Sequence, residues 1–219
     1  MTVAAVVFDL DGVLLDSEVV WNETKREVTV EAGGRWRDDA PEAMIGMSST
    51  EWSRYLHDEL AVPLSPAEID QAVVARVAER YRRGLPLLPG APEAVRRLAA
   101  RWPLGLASSS NRSIIELFLD ASGLRPCFAA TVSSEEVGRG KPAPDVYLAT
   151  TEALGVAASE AVAIEDSSNG ILAARAAGMS VVAIPNRDYP PSPEALAGAD
   201  AVLESLDELT PELVSELQR

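Results

Sequence analysis

From about Leu87 to its C-terminus the chain alternates short apolar runs with longer helical stretches. No other feature constrains the fold as much. Leu104-Gly105-Leu106-Ala107, Phe128-Ala129-Ala130-Thr131-Val132, Ala161-Val162-Ala163-Ile164, Val181-Val182-Ala183-Ile184 and Ala201-Val202-Leu203 are uncharged and of strand length. Between them, Glu93–Arg101, Asn111–Ala121, Pro144–Leu154 and Ser168–Ala177 read as helices, three of them followed closely by Gly123, Gly155 or Gly178. Such alternation implies parallel strands joined by crossover helices that cover both sheet faces. Strands buried on both faces read as continuous apolar runs, as these do. The expected class is α/β with a parallel-sheet core, and ligand sites of such open sheets lie at the carboxyl ends of the strands. Ser205–Arg219 reads as a plain surface helix.

The N-terminus supplies another such strand, Val3–Phe8, which runs into Asp9-Leu10-Asp11-Gly12. A single Asp after a strand is ordinarily a turn residue. Two carboxylates at the end of a buried strand are costly unless something compensates them. Followed by a flexible glycine, they suggest a site that holds a cation and attacks a substrate.

Between Asp16 and about Arg83 the texture changes, with no β-branched run and dominant helical patterns. Ser65–Arg82 places Ile69, Val73, Val77 and Tyr81 at fourfold spacing, a core-packing stripe. Pro66 and Gly84 suit its two boundaries. Leu85–Gly90 is a stiff Pro-rich connector. The expected organisation is a core of residues 1–15 and 88–219, with residues 16–87 inserted as a helical domain through hinge linkers.

Composition narrows the function. A net charge of −15 opposes nucleic-acid and anionic-membrane binding. The chain has no apolar run near the ~20 residues of a membrane span, and its N-terminus does not read as a signal peptide. One cysteine, Cys127, precludes an internal disulfide and points to a reducing, cytoplasmic setting. The single histidine, His57, falls in a stretch that reads as a surface helix, and without a nucleophile elbow a Ser-His-Asp triad is excluded. The expected state is a monomer or weak dimer.

Four short segments at strand ends remain: Asp9 with Asp11; Ser108, Ser109, Ser110 and Asn111; Lys141 in Gly140-Lys141-Pro142; and Glu165-Asp166-Ser167. Singly they read as helix caps or surface loops. In this order they suit phosphoryl transfer. Asp9 and Asp166 are hard oxygen ligands for Mg²⁺. Ser108, the amides after it and Lys141 are phosphate donors. Asp9 can attack phosphorus, and Asp11 can exchange a proton with the leaving oxygen.

The same segments, Phe8-Asp9-Leu10-Asp11-Gly12, Ala107-Ser108, Lys141-Pro142 and Glu165-Asp166-Ser167-Ser168-Asn169-Gly170, resemble the four motifs of the haloacid dehalogenase superfamily. The resemblance implies a Rossmann-like core with an inserted α-helical cap. It implies Asp9 as the nucleophile that becomes an aspartyl phosphate and Asp11 as general acid/base, with its backbone carbonyl on the metal. Ser108, Ser109 and Lys141 would bind phosphate, and Asp166 would ligate Mg²⁺ with Glu165 supporting it. The second Asp, Asp11, argues for phosphate over halide. The subgroup it looks like contains beta-phosphoglucomutase and sugar-phosphate phosphatases. Trp21, Ile45 and Ser49 replace polar or cationic groups of the mutase pattern, which favours a Mg²⁺-dependent phosphatase acting on a small sugar or polyol phosphate. The alternative is a phosphohexose mutase. Trp21, Gly46 and Ser48 are the expected substrate-facing cap residues. A phosphonate hydrolase would need a Schiff-base lysine in the cap, where Lys25 is the only lysine.

Overall fold

The computed structural model describes residues 2–45, 47–187 and 189–217. Six strands form one sheet: β1 (Ala5–Phe8), β2 (Leu104–Ser108), β3 (Phe128–Ser133), β4 (Ala161–Glu165), β5 (Ser180–Ala183) and β6 (Ala201–Val202). All pairings are parallel and the order is β3-β2-β1-β4-β5-β6. The chain builds outward from β1 on one side and returns to begin the other side with β4. The topological switch point, where open α/β sheets bind ligands, therefore falls between β1 and β4.

Register decides what meets there. Phe8 pairs with Ile164, and the Asp9 amide donates to the Ile164 carbonyl at 3.0 Å. Asp9 and Glu165 consequently leave the sheet side by side. On the other flank Phe8 pairs with Leu106, so Ser108 emerges nearby.

The strands are buried on both faces, and the two faces differ. Val6, Phe8, Leu104, Leu106, Val162 and Ile164 pack into one apolar cluster. Ala5, Val7, Ala107, Ala161 and Ala163 pack into a second. Small residues on the second face let helices approach closely. A Cβ on Gly105 would stand 2.5 Å from the Thr150 methyl on α7 (Asp145–Leu154).

Between β1 and α5 (Ala91–Ala99) lie α1 (Glu18–Glu31), α2 (Ala40–Ala43), α3 (Ser49–Asp58) and α4 (Pro66–Arg83), with no strand among the described residues of 18–83. The expected stripe of Ile69, Val73, Val77 and Tyr81 is buried. Ser65 and Glu68 cap α4 reciprocally, and Gly84 follows its last turn. On the outer side Arg80 pairs with Glu23 and Glu27, and Arg76 with Glu31, stitching α4 to α1. The two linkers run side by side: the Asp16 amide donates to the Pro86 carbonyl at 2.7 Å, and the Leu88 amide to Leu14 at 3.0 Å. The remaining helices are α6 (Arg112–Ser122), α7, α8 (Ser168–Ala176), α9 (Pro193–Leu196) and α10 (Pro211–Glu216).

The C-terminal segment corrects one expectation. Ser205 onward is not a plain surface helix. A 3-10 turn at Leu206–Glu208 precedes the short α10, capped by Thr210. Leu206, Leu209 and Val214 are buried, and the Arg97 guanidinium donates to the carbonyls of Leu206 and Leu209. The packing of the Leu206–Leu209 turn against α5 breaks the segment in two. No helix among the described residues is long and apolar enough to cross a membrane.

Candidate active site

A cavity of about 100 Å³ opens where the helical insertion faces the strand ends. Its floor includes Asp9, Asp11, Ser109, Ser110, Lys141 and Asp166, and its roof includes Glu18, Trp21, Asn22, Lys25, Ile45 and Trp52.

The floor is a buried charge cluster. The Lys141 ammonium lies 2.9 Å from Asp9 Oδ1 and 2.7 Å from Glu165 Oε1, and donates to the Ala107 carbonyl at 3.2 Å. Burial opposes its charge, yet Asp9 and Glu165 outweigh burial and hold it protonated beyond the ordinary lysine range. Burial also pushes Asp9 up to about 7, with Lys141 pulling down and Glu165 and Asp11 adding to the rise. Asp166 is raised well above the usual carboxylate range, by burial first and then by Glu165 and Asp9. One lysine thus undercompensates three carboxylates, which is costly unless another cation joins them.

The donor set fits a hard divalent ion. Asp9, Glu165 and Asp166 offer carboxylate oxygens all within 4.8 Å of one another. Their roles separate on hydrogen bonding. Both Glu165 oxygens are occupied. Oε1 accepts from Lys141 and from the Tyr147 hydroxyl at 2.6 Å, and Oε2 from the amides of Asp166 at 3.0 Å and Ser167 at 3.3 Å. Asp9 and Asp166 keep freer oxygens. Gly12, at φ +80°, makes room for Asp166, because a Cβ there would lie 1.9 Å from Asp166 Oδ2. Asp11 stands outside this cluster: its Oδ2 accepts from Ser110 Oγ at 2.6 Å, with Ser108 Oγ at 3.5 Å.

Ser108 is fully buried and supports the loop: its Oγ accepts from the Ser110 amide at 2.9 Å. It is Ser109 and Ser110 that line the cavity. Asn111 precedes α6 and donates to Asp70 of α4 at 3.3 Å and to Glu135 at 2.7 Å, tying insertion to core.

In the roof, Trp21 lines the cavity and also packs on Trp52, ring centroids 6.2 Å apart. Ser48 does not line it, because its amide and hydroxyl both donate to Glu51 in capping α3. Gly46 lies outside the described residues. Sequence reasoning missed Tyr147, which sits mid-helix on α7 and carries no local signal of its bond to Glu165. It also missed Trp52 as a cavity residue and weighed Lys25 only as a Schiff-base lysine, since only the packing of α1 and α3 on α4 turns both to the core.

A carboxylate cluster with one lysine, at the switch point of a parallel sheet and roofed by inserted helices, is the layout of a carboxylate-centred active site. The chain belongs to the family described as haloacid dehalogenase-like hydrolase, whose model matches residues 3–178. It is 36% identical to hexitol phosphatase B of Escherichia coli K12 over 214 residues, 95% of each chain. It is similar to a crystal structure of CbbY from Rhodobacter sphaeroides in complex with phosphate, with a TM-score of 0.87, 28% identity and coverage of 98% and 99%. Beta-phosphoglucomutase from Clostridium difficile shares the fold, with a TM-score of 0.84 at 23% identity over 99% of this chain and 97% of that one.

Proposed function

We propose that the protein is a Mg²⁺-dependent phosphatase that hydrolyses a small sugar phosphate or polyol phosphate through an aspartyl phosphate. The observation that carries this reading is the Asp9 carboxylate on the cavity floor, 2.9 Å from the Lys141 ammonium and beside Asp166, with Asp11 held at the same floor by Ser110. Asp9 attacks phosphorus, and the bond to the leaving oxygen breaks. Asp11 gives that oxygen its proton. Asp11 then takes a proton from water, which attacks the same phosphorus and frees Asp9. Lys141 and the Ser109 amide hold phosphoryl oxygens, and Ser108, which accepts from the Ser110 amide, keeps the loop in place. Asp9, Asp166 and the Asp11 carbonyl would hold Mg²⁺, with Glu165 orienting Asp166. The ion supplies charge that lets an anionic ester approach an anionic nucleophile.

The name hexitol phosphatase supports a polyol phosphate, and a cavity of about 100 Å³ suits a small leaving group. Hydrolysis is favoured over phosphohexose mutation because Trp21 and Ile45 face the cavity where the mutase pattern has polar groups. Residues 16–87 act as a cap that moves on the paired linkers. The protein works in the cytoplasm as a monomer or weak dimer.

The test is phosphate release by wild type and Asp9→Asn on a panel of sugar and polyol phosphates. The variant should lose roughly 10⁴-fold or more in kcat while remaining folded. A variant that keeps a tenth of wild-type turnover would rule out covalent catalysis by Asp9.

A further inference from the structure

The roof holds a cation that the reaction just derived does not use. Lys25, on α1, is 7% exposed and lines the cavity. Its ammonium stands 5.8 Å from the centroid of Trp21 and 5.3 Å from that of Trp52. No hydrogen bond or ion pair to it occurs among the described residues; Glu18 and Asp11 act on it only through space. The two indoles stabilise the charge over their faces, but they accept no conventional hydrogen bond. An ammonium carries three N–H donors, and that of Lys25 is not sealed in the protein but opens to the cavity. Its acceptor comes from whatever fills the cavity, and a ligand oxygen that takes the place of water there gains a charge-assisted hydrogen bond.

The chemistry of the surroundings narrows that acceptor. Apart from Lys25, Glu18 and Asn22, the roof residues named above are apolar, so a leaving group rich in oxygen has few protein donors there. Lys141 is the other cavity lysine, and Asp9 and Glu165 already engage it on the floor.

We propose that Lys25 is a specificity-determining residue, which donates hydrogen bonds to an oxygen of the leaving group remote from the transferred phosphate. That oxygen is a hydroxyl of a polyol or sugar, or an oxygen of a second anionic group. The assignment rests on the phosphatase reading. It is independent of the metal, because Lys25 lies in the roof. Burial pulls the Lys25 ammonium down to about 8, against the opposing pull of Glu18 and Asp11, so the group remains mostly charged at neutral pH. Burial of this charge opposes folding, so Lys25→Met should fold and melt no lower than wild type.

The experiment compares wild type with Lys25→Met on phenyl phosphate, a hexitol monophosphate and a hexose bisphosphate, all with Mg²⁺ at pH 7. Phenyl phosphate has no remote oxygen, and its kcat/KM should change less than about twofold. At least one oxygen-bearing substrate should lose about tenfold to a hundredfold in kcat/KM, chiefly through KM. Loss on the hexitol phosphate identifies a hydroxyl acceptor, and loss confined to the bisphosphate identifies an anionic one. Equal losses on all three substrates, or none on any, would overturn the assignment. Wild type inert toward every phosphate ester would instead overturn the phosphatase reading, and the Lys25 assignment with it.

Discussion

The floor and the roof of the cavity solve opposite problems. The floor concentrates charge away from water. Lys141 and Glu165 are almost fully buried, and every Glu165 oxygen has a donor. The roof is built on apolar packing, with Trp21, Trp52, Ile69, Val73 and Tyr81 in one cluster with the larger face of the sheet. Its ion pairs lie outside, between exposed glutamates of α1 and half-buried arginines of α4. The same pair of opposite charges is structurally decisive in the floor and marginal on the roof's outer surface, because desolvation makes each unpaired charge expensive.

The largest expected effect tests whether the floor depends on a cation. Chelation with EDTA should abolish phosphatase activity, and Mg²⁺ should restore it. Full activity in metal-free buffer would remove Asp166 from its assigned role. The pH dependence carries a sign. Asp9 is raised from 3.8 to about 7, so the folded metal-free protein holds that proton better than the unfolded chain. Its contribution to stability is complete below about pH 4 and is lost as pH rises through 7. The Tm gain from Mg²⁺ should therefore be larger at pH 8 than at pH 5, and equal gains would contradict the undercompensated cluster.

Next in size is the proton. Asp11→Asn should slow hydrolysis of an alkyl phosphate by roughly 10²–10⁴-fold, and that of p-nitrophenyl phosphate far less, because nitrophenolate leaves without protonation. Parallel losses on both esters would reduce Asp11 to a structural role.

A smaller effect probes how tightly the floor is packed. A Cβ on Gly170 would fall 1.8–2.0 Å from the Glu165 carboxylate atoms. Alanine improves helix propensity in α8 by about 1 kcal/mol, yet Gly170→Ala should still destabilise, toward the upper end of the ~1–3 kcal/mol for overpacking. A rise in Tm would show that Glu165 can move.

Smallest is the outer surface of the roof. Arg80→Ala removes ion pairs to Glu23 and Glu27, whose side chains are 62% and 45% exposed. Exposed pairs contribute about 0–1 kcal/mol, so denaturant unfolding should shift by no more than that. A larger loss would mean that this surface network carries the insertion.

The strands and most helix boundaries were legible because each follows from local chemistry. Apolar runs set β1 through β5, glycines stop the helices, and the stripe from Ile69 to Tyr81 reports its own buried face. The C-terminal segment was misread because Leu206 and Leu209 are buried by α5, a partner distant in sequence. Ser108 and Ser48, expected to face phosphate and substrate, do not line the cavity for a similar reason. A serine at a strand or helix end can face a ligand or cap the backbone, and only its neighbours decide between these.

What the sequence determined by itself is the parallel α/β core, the helical insertion and the four charged segments at strand ends. Each is written in runs of adjacent residues, where periodicity and backbone preference act. The tertiary structure alone decided the rest. Pairing of β1 with β4 sets Asp9 beside Glu165 and Asp166 across about 155 residues of chain. It also decided that Tyr147 closes the Glu165 network, and that α1 turns Lys25 into the cavity between two indoles. Strand register and helix packing fix such contacts, and both depend on pairs remote in sequence whose interaction no local pattern records.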